Sequence, residues 1–140
     1  MVKAIMFDFW GTLIENGVFP SPVRQVKNIL RLHDLPFSQF ILQFEKAMMT
    51  QKFDNLYKAF EAVCEEFKMR PDQLKLDILV GMWNKNRMLA KPFPETIELL
   101  EKLKKTHMLI LVSNTDSISV SSVIEKYNLA KDKDKLITIY

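Results

Sequence analysis

Ala4-Ile5-Met6-Phe7-Asp8-Phe9-Trp10-Gly11-Thr12-Leu13 is the stretch on which the reading of this chain turns. Four apolar residues run without alternation from Ala4 to Phe7, stop at Asp8, and meet a glycine at Gly11. A short continuous apolar run suits a strand of a parallel sheet buried on both faces. The Asp8 carboxylate then stands at the carboxyl end of that strand, just where the chain turns. Sheet mouths of this kind are where α/β proteins bind ligands.

A second apolar run, Met108-Leu109-Ile110-Leu111-Val112, ends in the same way, at Ser113-Asn114-Thr115. Asp116 can cap the helix that follows, with Val120, Val123, Ile124 and Tyr127 on its inner face. Leu136 to Tyr140 reads as a third strand, and a helix from Glu95 to about Lys105, with Ile97, Leu100 and Leu103 inward, precedes the second. Strand, helix, strand, helix, strand predicts an α/β fold with a Rossmann-like parallel sheet and right-handed crossovers.

Between the first strand and Lys91 the periodicity changes to 3.6 residues. Ser21-Pro22 opens one helix, with Val23, Val26 and Leu30 aligned. Ser38 can cap a second, with Ile41, Phe44 and Met48 on one face; Asp54 can cap a third, with Leu56, Phe60, Val63 and Phe67. Pro71 opens a fourth, with Leu74, Ile78 and Met82 aligned. Pro92 and Pro94 then stop the helical pattern. The expected division is an α/β core from 1–16 and 92–140, interrupted by a four-helix insert at 17–91.

Composition narrows the function classes. The chain has 140 residues and is 48% hydrophobic, enough for a packed core. Its net charge of +3 comes from interleaved signs rather than a basic stripe, which argues against a nucleic-acid partner. Lys102, Lys104 and Lys105, like Lys131, Lys133 and Lys135, read as helix-end or loop charge. No apolar run approaches the ~20 residues of a membrane span, so no membrane partner is expected. A single cysteine, Cys64, excludes an intrachain disulfide and suits a reducing, cytoplasmic compartment.

If the two polar-ended strands are neighbours, Asp8, Thr12, Ser113 and Asn114 gather at one edge. A carboxylate there can attack an electrophilic centre to form an ester or acyl phosphate. Hydroxyls and backbone N–H groups can hold the accompanying anion. The bland reading stands beside it: Asp8 ends a strand, and Ser113-Asn114 enters a helix.

Met6-Phe7-Asp8-Phe9-Trp10-Gly11-Thr12-Leu13 resembles the first motif of the haloacid dehalogenase-like hydrolase superfamily, and Leu109-Ile110-Leu111-Val112-Ser113-Asn114 resembles its second. The helical insert falls where that family carries its cap. The resemblance implies a hydrolase acting on a small phosphoester or a haloacid. It implies Asp8 as nucleophile and magnesium ligand, and the Trp10 backbone carbonyl as a second ligand. Thr12 would brace the motif loop, in which Gly11 and Trp10 lie against the substrate. Ser113 and the Asn114 backbone would bind the transferring group.

The sequence also departs from the family pattern. Family phosphatases carry a second Asp two positions after the nucleophile, as general acid and base. Trp10 stands there and cannot transfer a proton, whereas dehalogenase-type members have a Tyr. The family's third-motif Lys and fourth-motif acids follow the third strand, and no residue of this sequence matches them. The sheet is therefore expected to be incomplete, with magnesium weakly held and activity doubtful in this 140-residue form. The alternative is an inactive module that binds a partner or its own missing half. The edge of the first strand, 2–8, is expected to be open to pairing with a second copy. His33 and His107 lack partners at ligand spacing and read as helix-end and loop residues. Cys64 reads as a buried thiol, and Trp83 as an aromatic able to face the site.

Overall fold

The computed structural model describes residues 3–130 and the backbone of 136–139. Lys131, Lys133 and Lys135, Val2 and Tyr140 lie outside the described residues. The chain divides into two compact units, one formed by Met1–Gly17 and Arg87–Tyr140, the other by Val18–Asn86. The second division falls inside a helix that runs to Leu89.

The first unit is built on β1 (Ala4–Phe7), β4 (Met108–Val112) and β5 (Leu136–Ile139), in the order β1-β4-β5. Both pairings are parallel, and Ala4 is level with Met108 and Phe7 with Leu111. A short antiparallel ribbon, β2 (Ile14–Glu15) with β3 (Lys91–Pro92), was not legible in the sequence. Lys91 reaches Glu15 across it at 3.9 Å. The unit also holds α5 (Thr96–Leu103) and α6 (Ser117–Tyr127).

One face of the sheet carries Phe7 and Leu111, packed against Val120 and Val123 of α6, with Phe9, Leu13, Ile14 and Ala90 completing the core. The other face is open among the described residues. Met6 is 71% exposed, Met108 48% and Val112 39%. The expectation of burial on both faces is therefore corrected: the runs are continuously apolar, yet the described helices cover one side only. Ile97, expected inward, is 47% exposed on α5, whose contact with this core is through Leu100.

α6 matches its expected inner face: Val120 and Val123 are fully buried, with Ile124 and Tyr127 packed beside them. It is closed at its C-terminus by Asn128 in the left-handed region (φ 52°), a conformation asparagine tolerates. Its last turn is tied to the end of the preceding helical segment, Lys126 Nζ donating to the Met88 carbonyl at 2.7 Å and the Tyr127 hydroxyl to the Ala90 carbonyl at 2.9 Å.

The second unit holds α1 (Pro22–Ile29), α2 (Phe37–Met49), α3 (Leu56–Glu66) and most of α4 (Gln73–Leu89). Its core is aromatic. Phe40 stacks on Phe44 and on Phe67 at 5.8 and 5.3 Å, and Trp83 meets Phe44 and Phe60 at 5.8 and 5.6 Å. Trp83 thus lies in this core rather than on a surface free to face a substrate. α2 begins one residue before Ser38, with Pro36 at its cap. α3 is capped by the Asn55 side chain, which accepts from the Lys58 N–H at 3.0 Å, rather than by Asp54. On α4 the buried stripe is Leu76, Leu79, Val80, Trp83 and Asn86, while Leu74 and Ile78 are 71% and 49% exposed. Asp72 accepts from the Lys75 N–H at 2.9 Å at the start of α4, and that bond holds its carboxyl below the usual range. Cys64 is buried in α3, and burial pushes its thiol up.

Candidate active site

Asp8 is the first residue beyond β1 and Ser113 the first beyond β4. Since Phe7 is level with Leu111, Asp8 stands level with Val112 and Ser113 one step further along. Strand spacing and rise then put their Cα atoms about 6 Å apart at one carboxyl edge. The Asp8 side chain is exposed, and among the described residues it has no hydrogen bond or ion pair.

After Asp8 the chain wraps around one carbonyl. The Phe9 oxygen accepts from the N–H groups of Thr12, Leu13 and Ile14 at 3.3, 2.9 and 3.0 Å, and the Gly11 N–H donates to the Ile14 carbonyl at 2.8 Å. Gly11 sits at φ 78°, which a side chain would strain, so the glycine is required by this turn. Phe9 is fully buried, and Trp10 packs edge-on against it at 5.1 Å. The buried Phe9 ring anchors the loop and leaves Asp8 facing water.

Thr12 is exposed. The hydroxyl that ties the loop down is that of Thr96, buried at the start of α5, which donates to the Leu13 carbonyl at 2.9 Å. The Phe93 N–H donates to the same oxygen at 3.1 Å. Nothing local in the sequence marks Thr96, whose partner lies 83 residues away.

Ser113 is 5% exposed, and among the described residues its Oγ has no hydrogen-bond partner. A buried hydroxyl left unpaired costs about 1–3 kcal/mol, so a group present at this position is expected to have a use. Asn114 is exposed, Thr115 is buried, and Asp116 caps α6 by accepting from the Ser119 N–H at 2.7 Å. The structure thus brings Asp8, Trp10, Gly11, Ser113 and Asn114 into two adjacent loops at one sheet edge. His33 and His107 lie elsewhere, the former in the helical unit and the latter beside Thr106 Oγ1 at 2.8 Å.

No family model matches the sequence, and no curated protein matches it. Solved structures do. Over 99% of this chain it is similar to a haloacid dehalogenase-like family hydrolase from Xanthomonas campestris, at a TM-score of 0.60 and 14% identity, covering 61% of that chain. It is similar over its full length to a haloacid dehalogenase family enzyme from Bacteroides thetaiotaomicron, solved with magnesium and inorganic phosphate, at 0.57 and 20%, covering 68%. The L-2-haloacid dehalogenase of Xanthobacter autotrophicus, solved with chloropropionic acid covalently bound, is matched at 0.50 and 20%, over 99% of this chain and 57% of that one. The protein has the α/β fold of haloacid dehalogenase-like hydrolases, and it spans about three fifths of the length of the first of these solved chains.

Magnesium takes six oxygen ligands, usually one or two carboxylates with water and substrate oxygens. This edge offers one carboxylate, Asp8, and the Trp10 carbonyl, and among the described residues no three His, Cys, Asp or Glu side chains gather. That donor set does not fit a tightly held resident ion. Among the described residues no helix is long and apolar enough to cross a membrane.

Proposed function

We propose that the protein is a hydrolase that uses Asp8 as nucleophile on a small phosphoester or 2-haloacid, with Ser113 and the Asn114 backbone holding the anionic group. The observation that carries this reading is the pairing of an exposed, unengaged carboxylate just beyond β1 with a buried, unpartnered hydroxyl just beyond β4. An Asp8 carboxylate oxygen attacks phosphorus or the halogen-bearing carbon, and the leaving group departs with the electron pair of the broken bond. Water then cleaves the ester or acyl phosphate: one of its protons ends on the released hydroxy acid or phosphate, the other goes to solvent, and the Asp8 carboxylate is freed.

Trp10 bears on the choice of substrate. An alkoxide leaves well only if protonated, and Trp10 has no titratable group to supply that proton. A halide leaves without one. The reading therefore favours substrates whose leaving group needs no acid: 2-haloacids first, and phosphoesters of acidic alcohols second. A weakly held magnesium, on Asp8 and the Trp10 carbonyl, belongs to the phosphoester branch of the proposal. The test is halide release from short 2-haloacids beside phosphate release from a panel of small phosphomonoesters with magnesium. Turnover is expected for the haloacids or the aryl phosphates, and silence in both assays overturns the reading.

A second reading, a module that folds and binds without catalysis, draws on the same Trp10 and on the sparse metal donors. It predicts silence in both assays with anion binding intact. A cytoplasmic location remains part of the proposal, on the single buried thiol of Cys64.

Self-association is proposed through the free edge of β1. Among the described residues that strand pairs with β4 on one side only, has Lys3 as its flanking positive charge, and contains neither proline nor bulge. Every copy carries the same edge, so two can pair antiparallel about a two-fold axis. Light scattering is expected to give a dimer mass at about 100 μM that Met6→Lys returns to monomer. A monomer across the concentration series removes the proposal.

A further inference from the structure

Among the described residues α5 buries one side chain, and it is not an apolar one. Thr96 is 4% exposed, whereas Ile97 and Leu99 of the same helix are 47% and 44% exposed. Burial of a hydroxyl costs free energy unless it is hydrogen-bonded. That of Thr96 donates to the Leu13 carbonyl at 2.9 Å. The same oxygen accepts from the Phe93 N–H at 3.1 Å, so it is satisfied without Thr96. One donor keeps a carbonyl from being orphaned, and a second fixes its direction. Leu13 in turn donates its own N–H to the Phe9 carbonyl at 2.9 Å, and Phe9 follows Asp8. Two hydrogen bonds thus lead from the Thr96 hydroxyl to the residue beside Asp8. The near end of that loop is fixed by β1, where Phe7 is level with Leu111. Its far end is fixed by Ile14, paired with Pro92, and by the two donors on Leu13.

We propose that Thr96 is a positioning residue for the Asp8 nucleophile: its hydroxyl holds the turn at Leu13 and, through Leu13 and Phe9, sets the place from which the Asp8 carboxylate attacks. This rests on the reading of Asp8 given above and extends it to a residue outside both resembling motifs. An attacking oxygen must come within roughly 3–3.5 Å of its target in line with the bond that breaks, and a misplacement of about 1 Å can cost about a hundredfold in rate. The Asp8 side chain is exposed and has no hydrogen bond or ion pair among the described residues, so among them its placement comes from the backbone of its loop. Ser113 and Asn114, which the same reading gives to the anion, follow β4 rather than β1. Loss of the Thr96 bond therefore acts on attack and spares binding.

The test compares wild type with Thr96→Val, which keeps the shape and removes the donor, and Thr96→Ser, which keeps the donor and removes a methyl group. Steady-state kinetics are measured on the better of 2-chloropropionate and 4-nitrophenyl phosphate, beside titration with inorganic phosphate and melting curves. Thr96→Val is expected to lower kcat about tenfold or more, with KM and phosphate affinity within about twofold of wild type. It is expected to melt within about 5 °C of wild type, because the Leu13 carbonyl keeps the Phe93 N–H. Thr96→Ser is expected to restore kcat to within about threefold of wild type, since the hydroxyl is back in place. An active wild type whose Thr96→Val variant turns over as fast overturns the Thr96 assignment and leaves the Asp8 reading standing. So does a Thr96→Ser variant as slow as Thr96→Val, because the hydroxyl would then not be what matters. A Thr96→Val protein that loses phosphate binding along with kcat, or that melts far below wild type or fails to fold, overturns it too, since the bond would then serve the fold as a whole. Silence of wild type on both substrates overturns the Asp8 reading, and the role of Thr96 goes with it.

Discussion

Asp8→Asn is expected to lower turnover by at least about a thousandfold, because an amide cannot replace a carboxylate as the attacking group. The rest of the protein should hardly notice the change. Asp8 is exposed and has no hydrogen bond or ion pair among the described residues, so the isosteric substitution should move stability by no more than about 0.5 kcal/mol. The loop that carries it is held by Phe9, whose ring is buried and whose carbonyl takes three N–H groups. Neither depends on the charge at position 8.

Binding and chemistry should separate in this variant. A carboxylate beside an anionic ligand repels it, so removing the charge should leave phosphate affinity unchanged or tighten it. The expected pattern is therefore a collapsed kcat with an equal or lower Kd for phosphate, measured by steady-state kinetics on the best substrate and by titration. A variant that keeps a tenth of wild-type turnover would mean that some other group attacks, and the nucleophile assignment would be lost. A variant that loses phosphate binding as well would mean that Asp8 organises the site rather than reacting in it.

What could be read in advance follows the range of the interaction. The strands ending at Asp8 and Ser113 are signalled by unbroken apolar runs, and their parallel neighbourhood brings those two residues to one edge. The inner face of α6 follows from 3.6-residue spacing alone. Helix starts are less legible, because Asp54 and Asn55 are both able caps and only the backbone geometry selects Asn55. Burial on the second sheet face is not encoded in β1 at all, since it depends on what packs there from elsewhere in sequence. The loop tie from Thr96 to Leu13 spans 83 residues, and a lone threonine after Pro94 carries no mark of it.

The helix α4 turns the same distinction into a measurable contrast. Its sequence holds two interleaved apolar stripes, Leu74-Ile78-Met82 and Leu76-Leu79-Val80-Trp83, and spacing alone allows either to face inward. The structure buries the second, which carries the larger side chain. Trp83 is 6% exposed and meets Phe44 and Phe60, whereas Leu74 is 71% exposed. Trp83→Ala is therefore expected to cost about 3–5 kcal/mol through lost burial and the cavity left between those rings. That is a large share of the roughly 5–15 kcal/mol that holds an ordinary domain folded. Leu74→Ala should stay within about 0.5 kcal/mol. Urea unfolding followed by circular dichroism gives both values from the midpoints, provided the slopes agree. Trp83→Phe should fall between them, since it preserves an aromatic contact with Phe44 and Phe60 while leaving a smaller void. If Leu74→Ala cost as much as Trp83→Ala, the helix would be turned the other way, with Leu74 inward and Trp83 freed from the aromatic core.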